Sequence, residues 1–231
     1  MIIKSPRKKI PDFNIHQIER KEYIKYLGVY LDQHLNWNQQ LKIIHSKISK
    51  NLGVIRQLRF YVSFKTLKNI YYSLIYPYLA YGILSWGSTY KTKLSELQKL
   101  QNKCIRCMFF CNRFEHAMPL YNISGLLTLK NIFIFNSTSF AHKILNNNSK
   151  VPSAFRNILK QSKDQHCYNT RYASQGNLVR PSVRTNYGKF TFKFSICENW
   201  ENIPFTIKQL NFSLFKSRLR LHLLSIQAEN G

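Results

Sequence analysis

From Ile70 to Tyr90 the chain carries no charged side chain, although its formal net charge is +25. Such a stretch is either buried in protein or laid across a membrane, for which about 20 apolar residues suffice. Within 66–87, Leu67, Ile70, Tyr71, Leu74, Ile75, Tyr78 and Leu79 recur at the spacing that stacks side chains on one side of a helix. The spacing predicts a single core helix around which the chain is organised. It should bend at Pro77, which offers no N–H to the carbonyl of Ser73, and a partner should cover the bend. Tyr71, Tyr72, Tyr76, Tyr78 and Tyr81 run through the middle of the stretch, whereas membrane spans keep such rings at their ends. Protein core is therefore the expectation, and a membrane-associated basic protein is the alternative.

Thirty-five Lys and Arg face ten Asp and Glu. A compact chain so charged repels itself unless a polyanion lies against it. The cations are scattered along the chain and do not line one amphipathic helix, which ranks nucleic acid above an anionic membrane surface as partner. A 44% hydrophobic content over 231 residues is enough for a real core and excludes disorder. The five cysteines are an odd number in no disulfide-scaffold spacing, and no secretory leader is recognisable at Met1. The expected location is a reducing one, intracellular and either nuclear or cytoplasmic.

A short apolar start and a basic turn at 5–9 precede residues 23–32, which alternate as a strand: Leu27, Val29 and Leu31 on one face, Tyr26, Gly28 and Tyr30 on the other. Gly28 between tyrosines would let something approach the backbone closely. Asn36 is a good N-cap for a helix whose apolar side is Trp37, Leu41, Ile44, Ile48, Leu52, Ile55 and Leu58 or Arg59. Its other side, with Lys42, Ser46, Ser49, Lys50, Gly53, Arg56 and Gln57, lacks any acid for i, i+4 pairing, so phosphate is the natural counter-charge.

Thr92 can cap the next helix, with Leu94, Leu97, Gln101, Cys104, Ile105 and Met108 inward and Lys99, Lys103 and Arg106 outward. Three helices with short connections make a bundle. Residues 112–125 read as irregular. Thr128 then caps a helix through Leu129, Phe133, Phe140, Ala141 and Ile144, which ends in an Asn-rich loop before Pro152. Residues 165–196 contain no acid but Arg171, Arg180, Arg184, Lys189 and Lys193, and read as a basic, mostly extended track. Helices over 190–200 and 212–224 close the chain, the second with Phe212, Phe215, Leu219 and Leu223 on one side.

Catalytic chemistry finds little support. Cys104, Cys107, Cys111 and His116 have spacings a zinc site could use, but Cys104 already belongs to an apolar helix side and no second pair of soft ligands follows. Two-metal phosphoryl or nucleotidyl transfer needs clustered carboxylates, whereas Asp12, Asp32 and Asp164 stand alone. Glu198 and Glu201 are spaced as helix neighbours beside Trp200 and read as acids facing water. No Walker, GxSxG or GxGxxG motif occurs. The residues alone describe a binding module.

An ordered set of residues nonetheless resembles a known family. Tyr26-Leu27-Gly28-Val29 to Asp32, Leu35 to Trp37, Tyr71 to Leu74, Tyr76-Pro77, Tyr81-Gly82, Trp86-Gly87, Leu97, Leu100-Gln101, Lys103 and Arg106 look like the end of reverse transcriptases of non-LTR, LINE-type, jockey-like retrotransposons. Thr170-Arg171, Arg184-Thr185, Trp200 with Ile203-Pro204, and Phe215-Lys216 continue in the family's order, so the likeness covers nearly the whole chain. It implies a mainly α fold, with a small N-terminal β-hairpin as palm remnant at 1–33, a thumb-like three-helix bundle at 34–113, and a helical C-terminal extension at 114–231 with a basic loop at 165–196.

By the same resemblance Tyr26, Leu27, Gly28 and Tyr30 are primer-grip-like. Lys42, Lys50, Arg56, Lys99, Lys103 and Arg106 are the expected phosphate contacts of the thumb, and Arg171, Arg180 and Arg184 those of the downstream track. The expected partners are RNA or RNA–DNA duplex and the upstream palm and fingers of a parent polymerase. The family's paired aspartates lie upstream of the primer grip and are not found here, so no catalytic residue, no metal ligand and no cofactor is expected; the parent enzyme would use Mg2+. By the resemblance Met1 is expected to fall where the final palm strands begin, with no endonuclease expected before it. Trp200-Glu201 stands where the family commonly has Trp-Asn, and the family's occasional Cys-Cys-His-Cys knuckle is not recognisable. An inert relic that folds poorly for want of its palm is the structural alternative.

Overall fold

The computed structural model describes residues 3, 21–146, 151–165, 168 and 170–229. The basic turn at 5–9, Asp12 and most of the Asn-rich loop before Pro152 lie outside them. The described chain is mainly helical, with a small antiparallel hairpin ahead of the helices.

The strand expected over 23–32 folds back on itself. β1 (Tyr23–Tyr26) pairs with β2 (Val29–Asp32), Tyr23 opposite Asp32 and Tyr26 opposite Val29. Leu27 and Gly28 form the turn, with φ of 45° and 80°. Two consecutive residues at positive φ give the two-residue turn whose twist matches the hairpin, which glycine adopts freely and leucine only at a cost. Tyr81 Oη holds that turn by donating to the Leu27 carbonyl at 2.6 Å.

Asp32 then reverses the chain: its Oδ1 accepts from the N–H groups of His34 at 3.1 Å and Asn36 at 2.8 Å. Leu35 and Trp37 follow in left-handed conformation. Trp37, not Asn36, therefore heads α1 (Asn38–Leu58), and no side chain caps it. The buried indole of Trp37 fixes the entry instead, and Gln40 Oε1 accepts the Tyr30 N–H at 3.0 Å, tying hairpin to helix. The buried residues Leu41, Ile44, Ile48, Leu52 and Ile55 are those the 3.6-residue period selects.

The uncharged stretch is not one bent rod. It forms α2 (Phe64–Leu74), α3 (Tyr76–Ala80) and α4 (Ile83–Trp86). Pro77 falls in the first turn of α3, where a missing N–H costs nothing, so the distortion it imposes appears upstream at Ile75, with φ −110° and ψ −55°. A second break comes at extended Tyr81 and left-handed Gly82. A Cβ on Gly82 would lie 2.9 Å from the Val29 side chain, so glycine is needed there for space as well as for φ. Carbonyls near both breaks find donors: Leu74 O accepts from Asn51 Nδ2 of α1 at 2.6 Å, and Tyr81 O from Trp86 Nε1 at 3.0 Å. One buried stripe, Leu67, Tyr71, Ile75, Leu79 and Ile83, still passes through all three pieces.

α5 (Lys91–Met108) begins after Tyr90 without a side-chain cap, so Thr92 lies inside its first turn. It packs along α1 and against α2 to complete the expected bundle. Residues 112–125, expected to be irregular, contain α6 (Ala117–Ser124), with Pro119 in its first turn and Gly125 closing it at φ 62°. α7 (Leu129–Asn146) is capped as expected: Thr128 Oγ1 accepts from the Asn131 N–H at 3.4 Å.

Beyond it come α8 (Ser153–Arg156), a 3-10 turn at Ser162–Asp164, α9 (Arg171–Ser174), α10 (Asn186–Lys189), α11 (Phe192–Glu201), α12 (Phe205–Lys208) and α13 (Phe212–Glu229). The 165–196 track is thus less extended than expected, because Thr170 and Thr185 cap short helices by accepting from the N–H groups of Ala173 and Gly188, each at 3.2 Å. The centre of the fold is α7 rather than the 66–87 stretch: α3, α4 and α5 pack on it, and so do α11 and α13. One contiguous core runs from Trp37 to Leu223.

The connection 125–128 between α6 and α7 passes through this core, with Leu126 and Leu127 buried. Buried backbone groups must find partners. Arg220 Nη2 donates to Gly125 O at 2.9 Å, Gln227 Nε2 to Leu126 O at 3.1 Å, and Gln101 Nε2 to Leu127 O at 2.9 Å. Gln227 Oε1 accepts the Thr128 N–H at 3.1 Å, and Gln98 Oε1 the Leu129 N–H at 2.9 Å. Gln227→Leu is expected to lower stability by about 2–6 kcal/mol in urea unfolding, since two buried backbone groups lose partners at about 1–3 kcal/mol each. The wild type should unfold in one cooperative transition, as one shared core requires.

Lys208 is buried in the C-terminal half. Its Nζ donates to Asn177 Oδ1 at 2.7 Å and to Gln175 O at 3.2 Å, beneath the Trp200 ring. Burial pulls this ammonium down to about 8, with Glu201 opposing the shift. Between that value and the ordinary lysine value the unfolded chain binds more protons than the folded one, so this group's contribution to stability rises with pH across the window. Lys208→Met should remove that rise, read as the difference between wild-type and variant denaturation midpoints from about pH 7.5 to about pH 10.

Candidate nucleic-acid interface

The outer face of α1 is what the sequence led us to expect. Lys42, Ser46, Ser49, Lys50, Gly53, Arg56 and Gln57 are all exposed, and the helix contains no acid. Lys42 to Arg56 spans about 21 Å at 1.5 Å per residue. No ion pair engages Lys42, Lys50 or Arg56 among the described residues. A cationic row of this kind, on a rigid helix and facing water, can neutralise successive phosphates of a nucleic-acid backbone.

The other expected contacts divide. Lys103, Arg171 and Arg184 are exposed and, among the described residues, outside any ion pair. Lys99 pairs with exposed Glu96 at 3.0 Å, a contact weak enough in water to exchange for a phosphate. Arg106, half-buried, is engaged by the chain itself, its Nε donating to the Glu115 carbonyl at 2.6 Å. Arg180 lies over the Phe194 ring at 4.4 Å and reaches Glu198 at 3.4 Å and Glu201 at 3.7 Å. Glu198 and Glu201, expected simply to face water, thus hold Arg180.

The primer-grip-like residues gather at the hairpin tip. Tyr26 and Leu27 are exposed, at 62% and 74%, and Tyr30 is half-buried beneath Lys25 Nζ at 5.8 Å. The close approach that Gly28 permits is made by the chain itself: a Cβ there would meet the Tyr81 ring at 3.3 Å. Leu27, Gly28 and Tyr30 open onto a cleft of about 720 Å3 that Lys25, Lys47 and Tyr78 also line. Lys47, over the Tyr78 ring at 5.1 Å, is a neighbour of Lys50 one turn along α1, so hairpin cleft and cationic row adjoin. Sequence reasoning missed Lys47 and Tyr81; the missed signal was the Leu27-Gly28 turn, which folds the tip back over them.

Among the described residues no group of three or more His, Cys, Asp or Glu side chains could hold a metal ion. Cys104 and Cys107 lie on the buried side of α5, and burial pushes the Cys104 thiol up to about 12, far from the thiolate a ligand or nucleophile must be. Among the described residues no helix is long and apolar enough to cross a membrane.

No protein-family profile matches the chain, and no solved structure matches it. Two curated proteins of Drosophila melanogaster are similar to it. One is described as a probable RNA-directed DNA polymerase from transposon BS, 24% identical over 135 residues. The other is a probable RNA-directed DNA polymerase from transposon X-element, 25% identical over 134 residues. The alignments cover 57% and 56% of this chain and 15% of each relative. The chain thus shares partial homology with transposon RNA-directed DNA polymerases, in keeping with the resemblance its residues carry.

Proposed function

We propose that this chain is the thumb-bearing portion of a non-LTR retrotransposon RNA-directed DNA polymerase, and that its part in the reaction is to grip the template–primer backbone. In this reading residues 1–33 are the edge of the palm, 34–113 the thumb and 114–231 a C-terminal extension. The observation that carries it is the acid-free, exposed face of α1, in a chain similar to two transposon polymerases. Lys42, Lys50 and Arg56 hold phosphates as point charges, without reading sequence. The hairpin tip with Tyr26, Leu27, Gly28 and Tyr30 adjoins that row, where a primer end would meet it.

Nucleotidyl transfer belongs, in this reading, to the upstream palm. Among the described residues no group of three or more His, Cys, Asp or Glu side chains could hold a metal ion, and Glu198 and Glu201 are engaged by Arg180. No step assigned to this chain runs through Mg2+.

The test is a salt titration of binding to a labelled RNA–DNA hybrid. With Lys42, Lys50, Arg56, Lys99 and Lys103 engaged, affinity should fall roughly five-hundredfold between about 50 and about 200 mM salt. The triple variant Lys42→Gln, Lys50→Gln, Arg56→Gln should flatten the slope of log affinity against log salt by about three. A wild-type affinity indifferent to salt, or a triple variant with an unchanged slope, would sink the reading.

A further inference from the structure

A second cleft, of about 750 Å3, lies between the head of α5 and the segment carrying α10 and α11. Its size is that of a ligand site. Lys91 at the start of α5, Lys130 in the first turn of α7 and Lys189 at the end of α10 line it, together with Arg180. All three lysines are exposed and outside any ion pair among the described residues. The one carboxylate on the wall, Glu198, is already taken by Arg180.

Between the cations the wall is aromatic, with Tyr90, Phe133, Phe190 and Phe194. Tyr90 and Phe190 meet edge to face, centroids 4.7 Å apart and planes at 78°, and Lys93 Nζ lies over the Tyr90 ring at 5.5 Å. The rings are also held in place: Ser88 Oγ donates to the Phe190 carbonyl at 2.8 Å, pinning the α10–α11 connection to the turn before α5. A cationic rim over an aromatic floor suits a ligand that is anionic along one edge and flat and apolar along the other. A duplex turns only phosphate outward, whereas an unpaired strand offers both phosphate and base faces.

We propose that this cleft is a second nucleic-acid site, specific for single-stranded RNA or DNA, with Lys91, Lys130 and Lys189 on phosphates and Tyr90 and Phe190 against bases. It rests on the nucleic-acid reading above but uses none of the α1 residues, so the two can fail separately. In the family's terms it would hold strand that is not paired in the template–primer duplex.

The test uses the full chain and fluorescence anisotropy with labelled oligo(rU), oligo(dT) and a blunt RNA–DNA hybrid. Lys91→Glu, Lys130→Glu, Lys189→Glu together should weaken single-strand binding at least about tenfold, and leave hybrid binding within about twofold. Tyr90→Leu, which keeps apolar volume but removes the ring, should weaken single-strand binding about five- to tenfold. The α1 triple variant should do the reverse. A preference between oligo(rU) and oligo(dT) would name the strand the cleft takes. The inference is overturned if single strands do not bind while the hybrid does, if the lysine variant binds them as the wild type does, or if it loses both ligands equally. Loss of hybrid binding alone counts against the α1 reading only.

Discussion

The connection between α6 and α7 is the tightest constraint in this fold, because it carries backbone through the interior where water cannot satisfy it. Its carbonyls and N–H groups are met by Gln98 and Gln101 from α5 and by Arg220 and Gln227 from α13. Those two helices lie far from it and from each other in sequence, so the connection can be buried only when both are docked. The same side chains reach the tyrosine-rich stretch: Gln101 Nε2 donates to Tyr71 Oη at 2.8 Å, and Arg220 Nη2 to Tyr72 Oη at 2.7 Å. A hydroxyl at the end of a buried ring needs such a partner. Tyrosine in place of leucine at these positions thus follows from what α5 and α13 bring to meet it.

The fold also sorts its cations. Arg106 braces the loop before α6, Arg180 is stacked and paired, and Lys208 is enclosed. The row on α1 and the lysines around the second cleft have no such employment. One is a straight run on a single helix; the other is assembled from α5, α7 and α10. The first suits a regular polyanion, and the second a flexible one that can follow a curved wall.

What could be read in the sequence was what repeats along one element. The stripes of α1, α5 and α13 and the cap at Thr128 follow directly from local spacing. The hairpin was implied by the family resemblance and not by local spacing, because alternation continues unbroken across Leu27-Gly28 and only φ at those residues shows where the chain reverses. The centrality of α7 was hidden by its composition: Asn131, Ser137, Thr138 and His142 are buried yet polar, each hydrogen-bonded to a backbone carbonyl, so apolar period undercounts its contacts. α6 was overlooked because Pro119 reads as a breaker until it is seen in a first turn. Of the candidate site, the α1 face was visible as an absence of acids, whereas Lys91, Lys130 and Lys189 become neighbours only through tertiary structure.

The acid-free face of α1 bears on the protein even with nothing bound. Lys42 and Lys50 stand about 12 Å apart along the axis. That is close to the reach of unscreened repulsion at 0.1 M ionic strength, about 10 Å, and well inside the roughly 30 Å reached at 0.01 M. The helix itself offers them no carboxylate, so dissolved anions take part in neutralising them. Dilute buffer is therefore expected to work against the folded state through this face, and a multivalent anion such as sulfate to relieve it.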